Sequence, residues 1–452
     1  MDIPSCEYRS LRVLKIKDET SKVNEKHRRN QVLENHPEGL HPTHDVADPV
    51  PKNVSFPLEA TALGYFFSIF SRSGTFAYLP EFSSFLVKDD MITQALCASA
   101  LGSMASQHRD NSLLCMGRQY YARSLAETNR LLSKPETAVL DSTLLCVLLL
   151  SAFEALCFHN GGDPANWTAH IRGSSQLLML RGTTQFQSPF GLLLFHHAGV
   201  NVLIDAITHH TLISPELDRL FDYATSSVPG LDSVSKSIMS LLWRIAVISP
   251  NMRNMTAKEA LRETFELHDR VKVFREDLLE MAPFQVIHTM DGDGRYEQAH
   301  NIHTFEGVMH RYQDQQEARL HNVSRLINLG LLESMFSALK GDSDIDSSSQ
   351  HPDMNPKARD YTTEKVLAES AELVRDILAS VPYYLDLLEP QHSIEARYLI
   401  WPLTSIVSLD VCPPLARHYI QDRLMALGYK YNMRQAIEVA QVLDQRDHVQ
   451  KW

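Results

Sequence analysis

Four residues with metal-ligand chemistry recur at helical spacing in one stretch: His197, Asn201, Asp205 and His209 lie at steps of four. Imidazoles and carboxylates so spaced can hold a transition metal or work as an acid–base pair. Three steps of four rotate a helical face by roughly 120°, so the four side chains cannot all meet one ion. Asp205 and His209 alone are placed to hydrogen-bond. A second group, His300, His303 and His310 with Glu306, lacks the H-E-x-x-H order that sets a general base beside zinc. Asp291-Gly292-Asp293-Gly294 begins like a calcium loop. Arg295 and Tyr296 then stand where an oxygen ligand and a glycine are needed, and Ile302 where the bidentate glutamate belongs. No G-x-S-x-G elbow, phosphate-binding glycine loop or dinucleotide fingerprint occurs. The expectation is a protein with no catalytic, cofactor-binding or metal-binding residues, and not an enzyme.

The cysteines give the same reading. Cys6, Cys97, Cys115, Cys146, Cys157 and Cys412 are scattered, and four sit in apolar helical stretches. That pattern suits free thiols in a reducing compartment. No apolar run opens the chain as a secretory signal would. Leu144 to Phe158 is strongly apolar but holds Ser151 and Glu154 and is shorter than the roughly 20 residues of a membrane span. No membrane contact is expected. The 452 residues are 44% hydrophobic and carry a net charge of −12. An acidic chain binds nucleic acid poorly as a whole, so any DNA contact must come from a local basic segment or a partner.

The elements that would position these groups read as an all-α multi-helix array. Glycine is scarce, with 18 residues, which disfavours turn-dense β folds. Helices are expected over 60–70, 90–107, 112–133, 137–159, 188–210, 233–247, 256–279, 301–340, 365–378, 393–409, 415–428 and 433–447. Ser214-Pro215 starts a further short helix, and Thr256 with Glu259 forms a capping box. Asn160 to Pro164 is a loop in which Asp163 caps the next helix. Gly341 to Asp360 is polar and reads as a loop or insertion, its aspartates and serines also suited to recruiting transcriptional machinery. No strand is expected. Residues 1–55 form a separate basic, Pro- and His-rich linker. Lys15, Lys17, Lys22, Lys26, Arg28 and Arg29 could form a nucleic-acid or nuclear-import patch, or simply the solvated face of a linker helix, diluted by Asp18, Glu19 and Glu25.

The run from Trp167 to Gly182 is the most distinctive segment. Trp167, His170, Ile171, Ser174, Leu177, Leu178 and Arg181 share one helical face. The small Gly173, Ser174 and Ser175 would admit a neighbouring helix closely, and Gly182 supplies a left-handed end. Trp167, His170, Gly173, Leu177, Leu178, Leu180, Arg181 and Gly182 resemble the middle signature of the regulatory domain of fungal six-cysteine zinc-cluster transcription factors. The resemblance extends over residues 56–452. Gly64-Tyr65-Phe66-Phe67 with Ser73-Gly74-Thr75-Phe76 is similar to that family's entry helix and turn. Ala95 to Ala105 resembles its small-residue second helix. Leu399 to Leu403, Arg417, Ile420, Arg423, Leu424, Ala440, Val442 and Leu443 resemble its last helices.

The family's DNA reader carries six cysteines in two C-x2-C-x6-C halves that share two zinc ions. Cys6-Glu7-Tyr8-Arg9 and the basic stretch after it look like the last of those cysteines and its linker. The other five would fall upstream of Met1, which points to a start placed inside the cluster or to loss of that module. Cys6 alone cannot hold zinc, so zinc is expected only with an upstream cluster restored.

The resemblance implies a nuclear regulator of RNA polymerase II genes, with a metabolic or secondary-metabolite pathway as its setting. Partners would be other transcription regulators or a second copy, a small-molecule effector, and DNA only indirectly or through the missing cluster. The alternative is a small-molecule-binding module or repurposed helical enzyme of a biosynthetic pathway. Its pocket would be built around Trp167, His170, Trp243 and Trp401.

Overall fold

Short polar residues set where most helices begin. The first helix is α1 (Leu58–Tyr65), and Asp89 accepts the backbone N–H groups of Met91 and Ile92 and opens α2 (Asp90–His108). Asp110 does the same for α3 (Asn111–Leu132). Ser188 caps α6 (Pro189–His209), Ser214 α7 (Pro215–Ser226) and Asp232 α8 (Ser233–Ile248). Such caps satisfy N–H groups that have no partner inside the helix. Thr256 and Glu259 close the expected capping box on α9 (Ala257–Met281). Between these lie α4 (Asp141–Leu156) and α5 (Ala165–Arg181). The C-terminal part holds α10 (Gln315–Gly341), α11 (Thr363–Ala379), α12 (Ile400–Val407), α13 (Pro414–Tyr431) and α14 (Arg434–Asp444).

This computed structural model describes residues 57–70, 75–157, 165–289, 302–341, 361–387 and 393–444. The chain divides into two units, Met1–Ser55 and Phe56–Trp452, and every described residue belongs to the second. The basic stretch Lys15 to Arg29, Cys6, Asp163, His300, Asp291–Gly294 and the polar segment after Gly341 lie outside the described residues.

The second unit is an all-α array with one addition that the sequence reading missed. Strands β1 (Gln285–His288) and β2 (Val308–Arg311) pair antiparallel, Val286 opposite His310 and Ile287 opposite Met309. The helix expected over 301–340 therefore begins only at Gln315. Glu306 and Gly307 both adopt positive φ, 54° and 69°, and Phe305 bridges Val308 across them. A two-residue turn with positive φ at both positions is the hairpin-compatible kind, and it cannot continue a right-handed helix. Asp314 then caps α10 by accepting the Glu317 N–H at 2.9 Å. The segment expected as one helix over 393–409 is also broken. Ser393–Arg397 and α12 are separate because Pro402 has no N–H to return to the Tyr398 carbonyl. Likewise 137–159 resolves into the turn Pro135–Ala138 and α4.

The apolar side chains form two cores that share α9 and α10. In α9, Leu267, Val271, Phe274 and Leu278 face the first core, built with α1 to α8. Ala260, Leu261 and Phe265 of the same helix face the second, built with α11 to α14. In α10, Ile327 and Leu331 enter the first core, while Leu329, Leu332 and Phe336 enter the second. Helix α6 is long and apolar enough to cross a bilayer, yet 67% of its apolar window is buried among the other helices, as in a core helix. Truncating either face of α9 leaves a cavity in a close-packed interior, at about 3–5 kcal/mol for Phe→Ala. Phe265→Ala and Phe274→Ala should each lower the midpoint of one cooperative urea transition. Two resolved transitions in either variant would show that the cores melt independently.

Candidate functional site

Helix α5 carries the signature residues on two levels. Ile171, Ser174, Leu177, Leu178 and Arg181 are buried, whereas Trp167 and His170 are half-buried against the first core. His170 Nε2 lies 3.4 Å from the Tyr121 hydroxyl, and the Ser174 hydroxyl donates to the His170 carbonyl at 2.9 Å. Gly173 does not admit a neighbour as expected: a Cβ there would meet nothing within 4 Å. The close helix approach occurs elsewhere, where a Cβ on Gly117 of α3 would lie 3.3 Å from the backbone of Gly102 in α2. Gly182 adopts φ 54° and ends α5 as expected.

Arg181 is the electrostatic anchor of this helix. Its guanidinium pairs with Asp141 at the start of α4, and the Ser188 hydroxyl reaches the same carboxylate at 3.4 Å. Gln185 follows as a buried clip, its side-chain amide donating to the carbonyls of Leu178 at 3.0 Å and Gly182 at 2.6 Å. The signature thus locks α4, α5 and the start of α6 together, which is a packing role.

The residues with catalytic or ligating chemistry disperse. The His197 ring meets the Tyr78 hydroxyl at 3.0 Å, and burial drives its pKa down to about 3. His209 lies 3.1 Å from Asp205, the one pairing expected in that stretch. His303 donates its backbone N–H to Asp386 at 2.8 Å, and Glu306 pairs with Arg375 at 2.6 Å. His310 turns inward to Tyr312, 3.2 Å away, and burial lowers its pKa to about 3. Among the described residues no three His, Cys, Asp or Glu side chains converge as a metal site. The described Cys97, Cys115, Cys146, Cys157 and Cys412 are free thiols in separate places, so these residues do not fit a zinc cluster. Burial raises the thiol pKa of Cys97, Cys157 and Cys412 to between about 11 and about 12, opposite to a reactive or ligating thiolate.

One constellation resembles an acid–base relay. His268 touches Asn328 at 2.5 Å, the Tyr361 hydroxyl at 3.0 Å and Glu369 at 3.2 Å. Burial would raise the Glu369 pKa, but hydrogen bonds from His268 and Tyr361, with Lys272 nearby, hold it at about 2. Among the described residues no Ser, Thr or Cys is shown bonded to the group, and His268 is 1% exposed, so it ties α9, α10 and α11 together.

The space suited to a ligand lies where the two cores meet, and the sequence reading placed only Trp401 there. A cavity of about 250 Å³ is walled by Ile204 and Ile207 of α6 and by Leu242 and Ile245 of α8. Leu267 of α9, Ile327 and Leu331 of α10, and Trp401 and Thr404 of α12 complete it. Trp167 and Trp243 belong to other surroundings; the Trp243 indole donates to Asp218 at 2.8 Å. The cavity is slightly smaller than the ~300–1,000 Å³ typical of small-molecule sites and shares their predominantly apolar walls. Gly330 lines it, and a Cβ there would meet nothing within 4 Å. A glycine inside a 27-residue helix costs about 1 kcal/mol relative to alanine, so this one leaves space at the expense of helix stability. The legible signals were that interior glycine and the hydroxyl-bearing face Thr404-Ser405-Ser408 of an otherwise apolar helix.

Two outcomes follow for this part of the molecule. Arg181→Ala strands the partly buried Asp141 carboxylate and should cost about 3–5 kcal/mol in urea unfolding; a loss under 1 kcal/mol would remove Arg181 as an anchor. The depressed pKa values of His197 and His310, near 3, and of His321, near 4, lie below their ordinary 6.5 because burial favours the neutral ring. The unfolded chain then binds more protons in mild acid, so stability is full above about pH 6.5 and falls as pH drops toward 4. Each ring contributes a loss of about 2 kcal/mol between pH 7 and pH 5. Denaturant midpoints measured across that range should fall, and a flat profile would contradict the neutral buried state.

A search of curated proteins and one of solved structures each gave no match to this chain. A family model does match it, described as a fungal specific transcription factor domain and aligned over residues 64–444, which takes in every helix from the end of α1 to α14. The chain therefore belongs to the fungal-specific transcription factor domain family.

Proposed function

We propose that this chain is a nuclear regulator of RNA polymerase II genes, set in a metabolic or secondary-metabolite pathway, whose helical array is controlled by a small-molecule effector. Family membership supports a fungal transcription regulator in general. The observation that carries the effector reading is the apolar cavity between the two cores, floored by the shared helix α10. An occupant there touches both cores at once. It can favour one relative setting of α10 and α12 over another only through its differential affinity for the two settings. Other regulators, or a second copy of the chain, are the partners whose contacts such a change would expose or cover. DNA would be reached through them or through a cysteine cluster, to which zinc would belong.

The same cavity supports a second reading, a ligand-binding module of a biosynthetic pathway without a transcriptional role. A reporter assay separates the two. The full chain is fused to an unrelated DNA-binding domain and compared with its Gly330→Phe form, which sets a bulky ring at the cavity wall, and with Gly330→Ala as the control. The regulatory reading expects Gly330→Phe to shift reporter output at least threefold and to make it constant across growth media, with Gly330→Ala unchanged. Identical output from a folded Gly330→Phe protein would leave only the binding-module reading.

A further inference from the structure

We propose that the cavity between the cores takes an apolar molecule with a hydrogen-bond-donating head, a hydroxyl or an ammonium group, and rejects organic acids. This rests on the effector reading of the same cavity and adds the chemical class of its occupant. The argument comes from where the protons on the wall already go. The Thr208 hydroxyl donates to the Ile204 carbonyl at 2.8 Å and the Thr264 hydroxyl to the Ala260 carbonyl at 2.6 Å. The Ser334 hydroxyl donates to Gly330 at 3.0 Å, Thr404 to Ile400 at 2.8 Å and Ser408 to Ser405 at 2.8 Å. Each of these five hydroxyls lines the cavity and has committed its only proton to its own helix; Ser249 and Ser405 complete the hydroxyl-bearing lining. What each of the five offers an occupant is a lone pair.

Charge points the same way. Glu333 is the sole carboxylate among the described lining residues, and no lysine or arginine stands among them. One Glu333 oxygen accepts the Val411 backbone N–H at 3.1 Å, which fixes the side chain at the wall. The His210 ring, bound to Ser249 Oγ at 2.6 Å, and the Trp401 indole are further polar groups on the wall. An organic anion entering this space would lose its hydration, meet five hydroxyls that offer it only lone pairs and face the like charge of Glu333. An ammonium or hydroxyl head finds acceptors, and an ammonium also finds its counter-charge. The apolar walls take the body of the molecule, with Gly330 among the lining residues.

Three indoles of matched body test this: tryptamine, tryptophol and indole-3-acetate, titrated calorimetrically into the purified full chain at pH 7.5. The expected order is amine tightest, alcohol next, acid at least tenfold weaker than the amine. Glu333→Gln, which can still accept the Val411 N–H, should close the gap between amine and alcohol. Gly330→Phe should weaken amine and alcohol at least tenfold. An acid that binds as tightly as the amine, no binding by any of the three, or a Glu333→Gln protein with an unchanged order overturns the proposal. The reporter assay fails separately. Amine-selective binding with unaltered reporter output removes the regulatory reading and leaves the ligand class. A reporter response with acid-selective binding does the reverse.

Discussion

Helix α10 is the element on which the rest of the array depends, because three of its faces are committed to different neighbours. Ile327 and Leu331 pack into the first core, and Leu329, Leu332 and Phe336 into the second. Its remaining face carries Asn322, Arg325 and Asn328 at steps of three, all buried. Asn322 donates to the Ser380 hydroxyl at 2.8 Å, Arg325 donates to the Tyr312 hydroxyl at 2.8 Å, and Asn328 meets His268 at 2.5 Å. Apolar packing is non-directional and would tolerate sliding of α9 or α11 along α10. A buried polar row does not, since a one-turn slip leaves donors and acceptors unpaired at about 1–3 kcal/mol each. The seam therefore selects one register among several that hydrophobic burial alone would accept.

Arg325 shows how far that constraint reaches. Its side chain is 2% exposed, its guanidinium lies 5.1 Å from the centre of the Phe284 ring, and it shares Asp376 with Arg275 of α9, each 3.6 Å away. It thus draws in α9, α11 and the hairpin together. His310 of β2 lies beside it, 3.5 Å from the guanidinium, and that charge joins burial in keeping the imidazole neutral. The hairpin is a third partner for the polar face, closing a surface that the helices leave open.

The helices were legible in the sequence because their signals are local. Asp89, Asp110, Ser214 with Pro215, and Thr256 with Glu259 stand where a short polar side chain can reach the first N–H groups, and each one opens a helix. The hairpin was not legible, because its strands are only four residues long and its inward-facing His310 packs beside Arg325, which comes from α10. Even so, Gly307 followed by Val308, and Asp314 three residues before Glu317, mark a turn and then a helix start inside the stretch read as one helix. The packing role of the signature helix was also legible from the spacing of Trp167 to Arg181. Gly173 was misread because small size at a helical position says nothing about which side the neighbour takes.

The cavity escaped sequence reasoning for a deeper reason. Its lining comes from α6, α8, α9, α10 and α12, so no local pattern contains it. It exists because α10 must serve two cores at once. A helix that packs on two sides brings its neighbours together at its ends and edges, and the wedge between α8 and α12 can be filled only by side chains long enough to cross it. At that wedge the sequence places Gly330, Ser334, Thr404, Ser405 and Ser408, none of which is long. Larger apolar residues there would lengthen the contact between cores and gain burial at about 25 cal/mol per Å². The small, hydroxyl-bearing residues forgo that gain, and the hydroxyls of Ser334, Thr404 and Ser408 are satisfied by nearby backbone carbonyls of their own helices. The two cores are thus tied by hydrogen bonds along the polar seam of α10 and left apart between α8 and α12, where short side chains line the cavity.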